Sequence, residues 1–306
     1  MYLHEDKDVF KDIVEQTSAD IGRAAAVIEK DYYVTMILKQ LSLRLPNVVF
    51  KGGTSLSKGY KIIDRFSEDI DITFDEHIGE GRRKKLKNVI LKGISEELKM
   101  PIVNFNDTQS DRDYNAYLFK YESVFAIEDD KMPSYVKLET ALGSYAFPTQ
   151  VVPIANYVGD YLEKIAETKF EYLYGLDKFE MKLQSPERTY IDKIFALCDY
   201  YMQGKSKRYS RHLYDIYKMT PLIVFDSDFR KLFFEIREHR KAMKICPSAA
   251  DGVDLSGLIK KWCKEDFYRE DYGTITLYFA SDMVLYEDTI KQMMNLADII
   301  EDFTVK

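Results

Sequence analysis

Residues 50–74 read FKGGTSLSKGYKIIDRFSEDIDITF, and this is the most informative segment of the chain. It opens at the end of a short β-rich run, VVF at 48–50, which stops at the pair Gly52-Gly53. A short helix is predicted directly after the glycines. Residues 69–74, DIDITF, then alternate polar and β-branched side chains, which is typical of a half-buried strand. The stretch therefore predicts a strand, a glycine turn, a helix and a second strand, in that order.

The glycine turn has the features of a phosphate-binding loop. Glycine lets a phosphate approach the backbone, and the free N–H groups of Gly53, Thr54 and Ser55 can point at it. Two cations, Lys58 and Arg65, lie between the turn and the next strand and can offset phosphate charge. A Gly-Gly pair is by itself more often only a turn, so its meaning depends on the residues after it.

Asp69 and Asp71 lie two positions apart on the predicted strand, so both side chains project from one face. Two carboxylates held in this way can bind divalent cations, which prefer hard oxygen ligands. The alternative is a solvated strand face, which is the commoner meaning of Asp-x-Asp. Like charges side by side on a strand are destabilising, and this favours a bound cation over bare solvent.

The ordered combination resembles the nucleotidyltransferase superfamily related to polymerase β, and more closely the AbiEii/AbiGii-type abortive-infection nucleotidyltransferase toxins. The stretches that carry the resemblance are IEKDYYVTMILKQL (28–41), FKGGTSLSKGY (50–60), RFSEDIDI (65–72), SPERTYIDKIFAL (185–197) and SRHLYDIY (210–217). Residues after 217 carry no motif of this family. The resemblance implies the nucleotidyltransferase fold, a mixed β-sheet flanked by helices.

The resemblance also implies roles for individual residues. Nucleotide-binding positions are Gly52, Gly53, Thr54, Ser55, Lys193 and Asp215. Asp69 and Asp71 become catalytic residues and paired ligands of Mg²⁺ (or Mn²⁺), with an NTP as the substrate. The superfamily needs a third carboxylate on a later strand, and Glu139 in YVKLET is selected for this metal and catalytic role. Glu122 and Asp113 are the alternatives to it.

The later motifs also admit plainer interpretations. Lys193 stands beside a helical apolar stripe and can be an ordinary solvated lysine. Arg211 and Asp215 are four positions apart on a predicted helix and can form a surface ion pair. His212 stands where many family members have an aspartate, so the resemblance gives that position no role.

A basic run at residues 205–211 is the candidate RNA-binding surface. Its four cations are Lys205, Lys207, Arg208 and Arg211. Tyr209 lies among them, and basic and aromatic side chains together suit a nucleic-acid backbone and its unstacked bases. A solvated helix face is the alternative, both here and for the basic run at 82–92.

Periodicity along the chain predicts an α+β protein in which a mixed sheet is followed by helices. Predicted strands are 48–50, 69–74, 102–106, 113–121, 134–142, 150–154 and 178–184. Predicted helices are 5–17, 20–45, 54–60, 80–100, 185–204, 208–219, 226–244, 254–268 and 279–303. We therefore expect a nucleotidyltransferase catalytic domain at residues 1–180, with the N-terminal helices, and a helical domain at 181–306.

The composition agrees with this class. The chain has 306 residues, 46% hydrophobic and 31% charged, which excludes a disordered, collagen-like or disulfide-stapled protein. A net charge of −7 argues against a protein coated in basic charge. Three scattered cysteines form no CxxC pair and suit a reducing compartment. The sequence has neither a signal-peptide core nor a long apolar run, so we expect a cytoplasmic protein without membrane contact.

The expected reaction is Mg²⁺-dependent transfer of NMP from an NTP to the 3′-hydroxyl of an RNA. The resemblance implies a tRNA as acceptor, growth arrest as the output and an antitoxin from a neighbouring gene as partner. A two-metal site needs no histidine base, and the four histidines are scattered along the chain. Two alternatives stay open. One is transfer to a small-molecule or protein hydroxyl, and the other is a non-catalytic module that binds a nucleotide or a partner.

Overall fold

The structure is a computed structural model that describes residues 1–125, 133–143, 145–243 and 245–305. The chain divides into two compact units. The first, the sheet unit, contains Met1–Tyr60 and Ser67–Gln184. The second, the helical unit, contains Lys61–Phe66 and Ser185–Lys306. The domain boundary expected at 180/181 therefore falls within the last strand of the sheet unit, and a six-residue segment from the N-terminal half belongs to the helical unit.

The sheet unit contains a mixed six-stranded sheet, which confirms the predicted fold class. Its strands are β1 Val48–Lys51, β2 Ile70–Phe74, β3 Tyr114–Lys120, β4 Tyr135–Ala141, β5 Thr149–Ile154 and β6 Phe179–Gln184. Their order in the sheet is β3-β4-β2-β1-β6-β5. The β1–β6 and β2–β4 pairs are parallel, and the other three pairs are antiparallel. The two strands of the predicted motif, β1 and β2, thus lie side by side at the centre of the sheet.

Seven α-helices accompany this sheet in the described part of the unit. They are α1 Lys7–Ile21, α2 Ala25–Arg44, α3 Gly52–Lys58, α4 Glu80–Lys85, α5 Lys92–Glu97, α6 Tyr157–Lys164 and α7 Thr168–Leu173. A π-helical turn, Leu86–Leu91, joins α4 to α5. Helix α2 is the buried helix of this unit and packs on α1, α5, α6, β4 and β6. The first two residues of the helix predicted at 20–45 belong to α1, which ends at Gly22 with a left-handed φ of 68°, and α2 begins only at Ala25.

In the described residues after 185, the helical unit is largely helical, as predicted. Its helices are α8 Pro186–Met202, α9 Arg211–Met219, α10 Ser227–Lys241, α11 Leu255–Lys264, α12 Arg269–Asp271, α13 Leu277–Phe279 and α14 Tyr286–Val305. Helix α8 packs on α9, α10 and α11 around buried rings such as Tyr190, Phe195 and Trp262. The helix predicted at 279–303 begins only at Tyr286. Every helix in the described part of the chain is too short or too polar to span a bilayer.

The strand predicted at 102–106 is wrong. Ile102 makes one isolated bridge to Phe119, and Phe105–Asp107 form a 3₁₀ turn. Asn104 explains the difference, because its side chain replaces a strand. The amide nitrogen of Asn104 donates to the carbonyl of Ala116 at 2.8 Å, and its oxygen accepts from the N–H of Leu118 at 3.0 Å. This side chain satisfies the edge of β3 together with two main-chain hydrogen bonds, from Val103 to Leu118 at 3.0 Å and from Lys120 to Pro101 at 2.9 Å.

Candidate active site

The glycine turn lies directly against the second strand of the motif. Strands β1 and β2 pair so that Lys51 is opposite Asp71, and α3 begins at the next residue, Gly52. The φ of Gly52 is 80°, a left-handed conformation that side chains rarely adopt. A Cβ at this position would also overlap the Oδ2 of Asp71. Only glycine therefore lets the backbone of the turn approach this carboxylate so closely.

The four residues predicted as a phosphate cradle fall into two pairs. Gly52 and Gly53 are partly exposed at the start of α3, whereas Thr54 and Ser55 are buried. The Thr54 hydroxyl is 2.8 Å from that of Ser67, and the Ser55 hydroxyl donates to the carbonyl of Gly52 at 2.8 Å. The hydroxyl groups thus fix the turn, and the accessible part of the predicted cradle is the glycine backbone.

Asp71 and Glu139 occupy opposite positions on the parallel strands β2 and β4. Burial and the charge of Glu139 raise the pKa of Asp71 to about 7, and a hydrogen bond joins the two carboxyl groups. Burial opposes ionisation of Glu139, but hydrogen bonds from Lys137 and Asp71 outweigh it, so its pKa is lowered. Tyr114 donates a further hydrogen bond to Glu139 at 2.8 Å. Of the two carboxyl groups, Asp71 is therefore the one that retains a proton more readily, and Glu139 is the one that ionises first.

Lys137 connects this pair to Asp69. Its Nζ lies 3.2 Å from Oδ2 of Asp69 and 2.7 Å from Oε1 of Glu139. Burial lowers the pKa of Lys137, but the two carboxylates outweigh that effect and raise the pKa overall. The structure thus brings together the three carboxylates selected from the sequence and adds an ammonium group between two of them. The alternation of Lys137 and Glu139 along β4 was the signal in the sequence for this neighbour.

The donor set at this position fits a divalent cation. In the described ranges, no three His, Cys, Asp or Glu side chains converge as a formed metal centre. The three carboxylates here nonetheless offer hard oxygen atoms, and burial together with the charge of Glu139 opposes ionisation of Asp71. Lys137 already places one positive charge between Asp69 and Glu139. Positive charge therefore stabilises the ionised carboxylates of this cluster, and a divalent cation would supply more of it.

The two alternatives to Glu139 lie on the surface. The Glu122 side chain is 81% exposed and pairs with Lys7, and the Asp113 side chain is 70% exposed and pairs with Arg83. Glu139, at 21% exposure, is the carboxylate that contacts Asp71.

Lys58 has a buried partner in α2. Its Nζ forms an ion pair with Asp31, and the two side chains are only 7% and 9% exposed. Asp31 also accepts from the N–H of Tyr157 at 3.0 Å. The preceding residue, Lys30, is 1% exposed and forms an ion pair with Glu68, next to Asp69. From the sequence, Lys30 and Asp31 either pack against the active-site layer or have a structural role in the N-terminal helix, and the run of three charges inside an otherwise apolar helix is the signal for them.

Lys193 and Asp215 lie together in the helical unit. The Nζ of Lys193 donates to Asp215 at 2.7 Å, and Arg65 donates two hydrogen bonds of 2.7 Å to the same carboxylate. Asp215 is fully buried and Lys193 is 5% exposed. The solvated lysine and the surface ion pair between Arg211 and Asp215 are therefore both wrong, because burial and a long-range arginine take the place of solvent. Arg65, which the sequence suggested could offset phosphate charge, instead forms an ion pair with Asp215.

The basic run of the helical unit is a structured loop. Lys205, Lys207 and Arg208 are exposed, whereas Arg211 is partly buried in α9. The ring of Tyr209 stacks on Tyr200 with 3.5 Å between centroids. The backbone of this loop is held by Asp271, which accepts hydrogen bonds from the N–H groups of Arg208 at 2.7 Å and Ser210 at 3.1 Å. The carboxylate supports Arg208 in a left-handed conformation with φ of 69°.

The chain matches one known protein family and is similar to a solved structure. The family model described as nucleotidyl transferase AbiEii toxin, type IV TA system, matches residues 37–297. No curated protein matches the chain. Among solved structures, the chain is similar to MenT4, a nucleotidyltransferase toxin from Mycobacterium tuberculosis H37Rv. That match has 14% sequence identity and a TM-score of 0.48, and it covers 95% of this chain and 98% of the other.

Proposed function

We propose that this chain, which belongs to the AbiEii family of nucleotidyltransferase toxins, transfers NMP from an NTP to the 3′-hydroxyl of an RNA. The proposed acceptor RNA is a tRNA. The match to the family model confirms the family and the enzyme class that the motifs predict. The chain is a nucleotidyltransferase toxin of a toxin–antitoxin system. The acceptor, the divalent cation and the roles of single residues are our proposal.

One observation carries the reaction: the backbone at Gly52 approaches the Asp71 carboxylate, and Asp71 faces Glu139. This arrangement supports a phosphate-binding backbone next to a cluster of carboxylates. Nucleotidyl transfer needs both elements, because the negative charge of the triphosphate must be neutralised while the α-phosphorus is held for attack.

Each functional residue of the sheet unit has a role in the proposed reaction. Asp69, Asp71 and Glu139 would hold Mg²⁺ or Mn²⁺, which supplies a Lewis acid that lowers the pKa of the attacking hydroxyl and neutralises pyrophosphate. The amide groups of Gly52 and Gly53 bind phosphate oxygens. A divalent cation held by these residues would favour the ionised form of Asp71, because positive charge next to a carboxyl group lowers its pKa.

The acceptor is assigned to the exposed basic loop of the helical unit. Lys205, Lys207 and Arg208 offer three cations for a phosphate backbone, and Tyr209 offers an aromatic ring for an unstacked base. Because Asp271 holds the loop backbone, these cations are presented without the entropy cost of ordering a mobile segment. This supports an RNA acceptor over a small molecule, which needs no such surface. An antitoxin encoded by a neighbouring gene completes the proposed system.

The test is transfer of label from each of four α-³²P NTPs to total cellular RNA with Mg²⁺. We expect a labelled band of tRNA size with the wild type and none with Asp69→Asn. Asp113→Asn is the matched control, since this surface carboxylate pairs with Arg83, and it should label RNA like the wild type. Label on a protein or on a small molecule, and not on RNA, would show that the acceptor is not an RNA. Absence of label from every NTP would overturn the transferase assignment in favour of a non-catalytic module.

A further inference from the structure

The segment that joins the glycine turn to the carboxylate strand β2 belongs to the helical unit. Residues 61–66 follow α3 and its glycine turn and precede Asp69 and β2. Yet this segment packs within the helical unit and not with the sheet that its neighbours join. The chain thus leaves the sheet unit between its phosphate-binding turn and its carboxylate strand, and then returns.

Main-chain hydrogen bonds fasten this segment at two points. The N–H of Phe66 donates to the carbonyl of Phe279 at 2.8 Å, and the N–H of Ser281 donates to the carbonyl of Asp64 at 2.8 Å. Arg65 and Ala280 consequently pair as an isolated antiparallel bridge. The segment is therefore held as one short strand against the stretch between α13 and α14.

The side chain of Arg65 makes the deepest attachment. Its Nε and Nη2 each lie 2.7 Å from an oxygen of Asp215, and the side chains of the pair are 4% and 0% exposed. Lys193 contacts the same carboxylate at 2.7 Å. Burial would raise the pKa of Asp215, but the charges of Arg65 and Lys193 outweigh burial and hold the pKa well below its usual value. A planar guanidinium that binds both oxygens of a buried carboxylate fixes position and orientation together.

We propose that Arg65 is a positioning residue for nucleotidyl transfer, and that Lys193 and Asp215 act on the reaction by clamping Arg65 rather than by contacting the nucleotide. The inference rests on the proposed function for its effect on rate. The clamp fixes the segment that joins the turn at Gly52 to Asp69 and Asp71. The reaction requires a defined distance between that turn and these two carboxylates. A misplacement of about 1 Å in such an arrangement costs up to about 100-fold in rate.

The first experiment compares Arg65→Gln with Lys61→Gln. Both remove one positive charge from the same segment, but Lys61 is exposed, whereas Arg65 binds Asp215. Arg65→Gln leaves Lys193 beside Asp215, so the buried carboxylate keeps a cation and the variant should fold. We expect a kcat lowered by about 30- to 100-fold, as for Asp215→Asn, and the KM for NTP changed less than about threefold. Lys61→Gln should match the wild type.

Combined variants separate clamping from nucleotide contact. If Arg65 and Asp215 act as one unit, the double variant Arg65→Gln/Asp215→Asn is no slower than either single variant. Arg65→Lys keeps the charge but loses the two-pronged bond, and it should recover only part of the rate. Multiplied losses in the double variant, or a raised KM for NTP in Asp215→Asn alone, would overturn the proposal.

Amide hydrogen exchange provides a readout that needs no activity. Arg65→Gln should speed exchange at the N–H groups of Phe66 and Ser281 by at least about tenfold, with exchange in α8 unchanged. Unchanged exchange at both amides overturns the clamp, whether or not the transfer assay works. Faster exchange with an unchanged kcat overturns its role in the reaction. A wild type without transferase activity would refute the proposed function separately, and exchange would still decide whether the clamp exists.

Discussion

The carboxyl groups of Asp71 and Glu139 face each other across two parallel strands and share a hydrogen bond. Two acids this close cannot both ionise cheaply, and this is why the pKa of Asp71 is raised to about 7. Proteins rarely retain such a pair for stability alone, because two apolar residues would pack there at lower cost. The pair is therefore the part of the sheet unit whose chemistry most needs a bound cation.

Glu139→Gln tests the choice of the third carboxylate. We expect transfer to fall by about 100- to 1,000-fold, because one anionic ligand of the cation is replaced by a neutral amide. Glu122→Gln makes the same chemical change at a side chain that is 81% exposed, and it should keep full activity. The measurement is the initial rate of label transfer at saturating NTP. Equal rates for the two variants would show that Glu139 is not a ligand.

Lys137→Met tests whether the ammonium group competes with the metal. Lys137 lies between Asp69 and Glu139, so its removal should raise the affinity for Mn²⁺ without nucleotide by about tenfold, or about 1.4 kcal/mol. Bound Mn²⁺ can be followed by titration with electron paramagnetic resonance. Lys120→Met, at the exposed end of β3, removes the same charge and should leave the affinity unchanged. Weaker Mn²⁺ binding by Lys137→Met would mean that the lysine orients the ligands.

The central motif could be predicted from the sequence because its signals are local. A glycine pair after a strand and two aspartates one residue apart are set by neighbours in the chain, and the structure places both features next to each other. Local patterns failed where a side chain takes over a backbone role, as Asn104 does beside β3. They also place the break between the first two helices at residues 18–19, whereas the left-handed Gly22 ends α1 and α2 begins at Ala25.

The buried ion pairs could not be predicted, since their partners are far apart in sequence. Asp31 pairs with Lys58, Lys30 with Glu68, and Arg65 with Asp215. Spacing along a helix indicated only partners three or four residues away, which is how Arg211 was paired with Asp215. Long-range pairing is decided by the tertiary fold, and spacing along the sequence carries no signal of it.

Lys58→Met tests whether this lysine is structural. It leaves the buried Asp31 without its cation, so we expect a loss of about 3 kcal/mol in the free energy of unfolding. Adding Asp31→Asn removes the orphaned charge and should recover at least half of that loss. Urea unfolding followed by circular dichroism measures both variants. Additive losses of stability would contradict the ion pair between Lys58 and Asp31. An unchanged stability with a raised KM for NTP would show that Lys58 binds the nucleotide.

Replacing Lys205, Lys207 and Arg208 together by alanine tests the RNA surface. We expect weaker RNA binding, and the slope of log Kd against log salt should fall by about 2, since each lost phosphate contact on a single strand contributes about 0.7. A filter-binding series across salt concentrations measures this.

A control for this surface comes from the other basic run. Alanine at Lys84, Lys85 and Lys92 also removes three exposed cations, and two of these already pair with Glu80 and Glu96 on their own helices. RNA binding and its salt slope should stay at the wild-type values. The same slope in both triple variants would mean that charge number alone, and not the loop at 205–211, governs binding.

Asp215→Asn tests the clamp through the pH dependence of stability. Because the pKa of Asp215 is lower in the folded protein than the unfolded value of about 3.9, its ionised form stabilises the fold. This contribution is fully present above about pH 5 and is lost as pH falls below about 4 toward the folded pKa. We therefore expect the wild type to exceed Asp215→Asn by about 3 kcal/mol at pH 7, with the difference shrinking between pH 4 and 2. Urea unfolding followed by fluorescence of Trp262, the single tryptophan, reports on the helical unit that contains Asp215. A difference that is constant from pH 7 to pH 2 would show that the aspartate acts by packing rather than by charge.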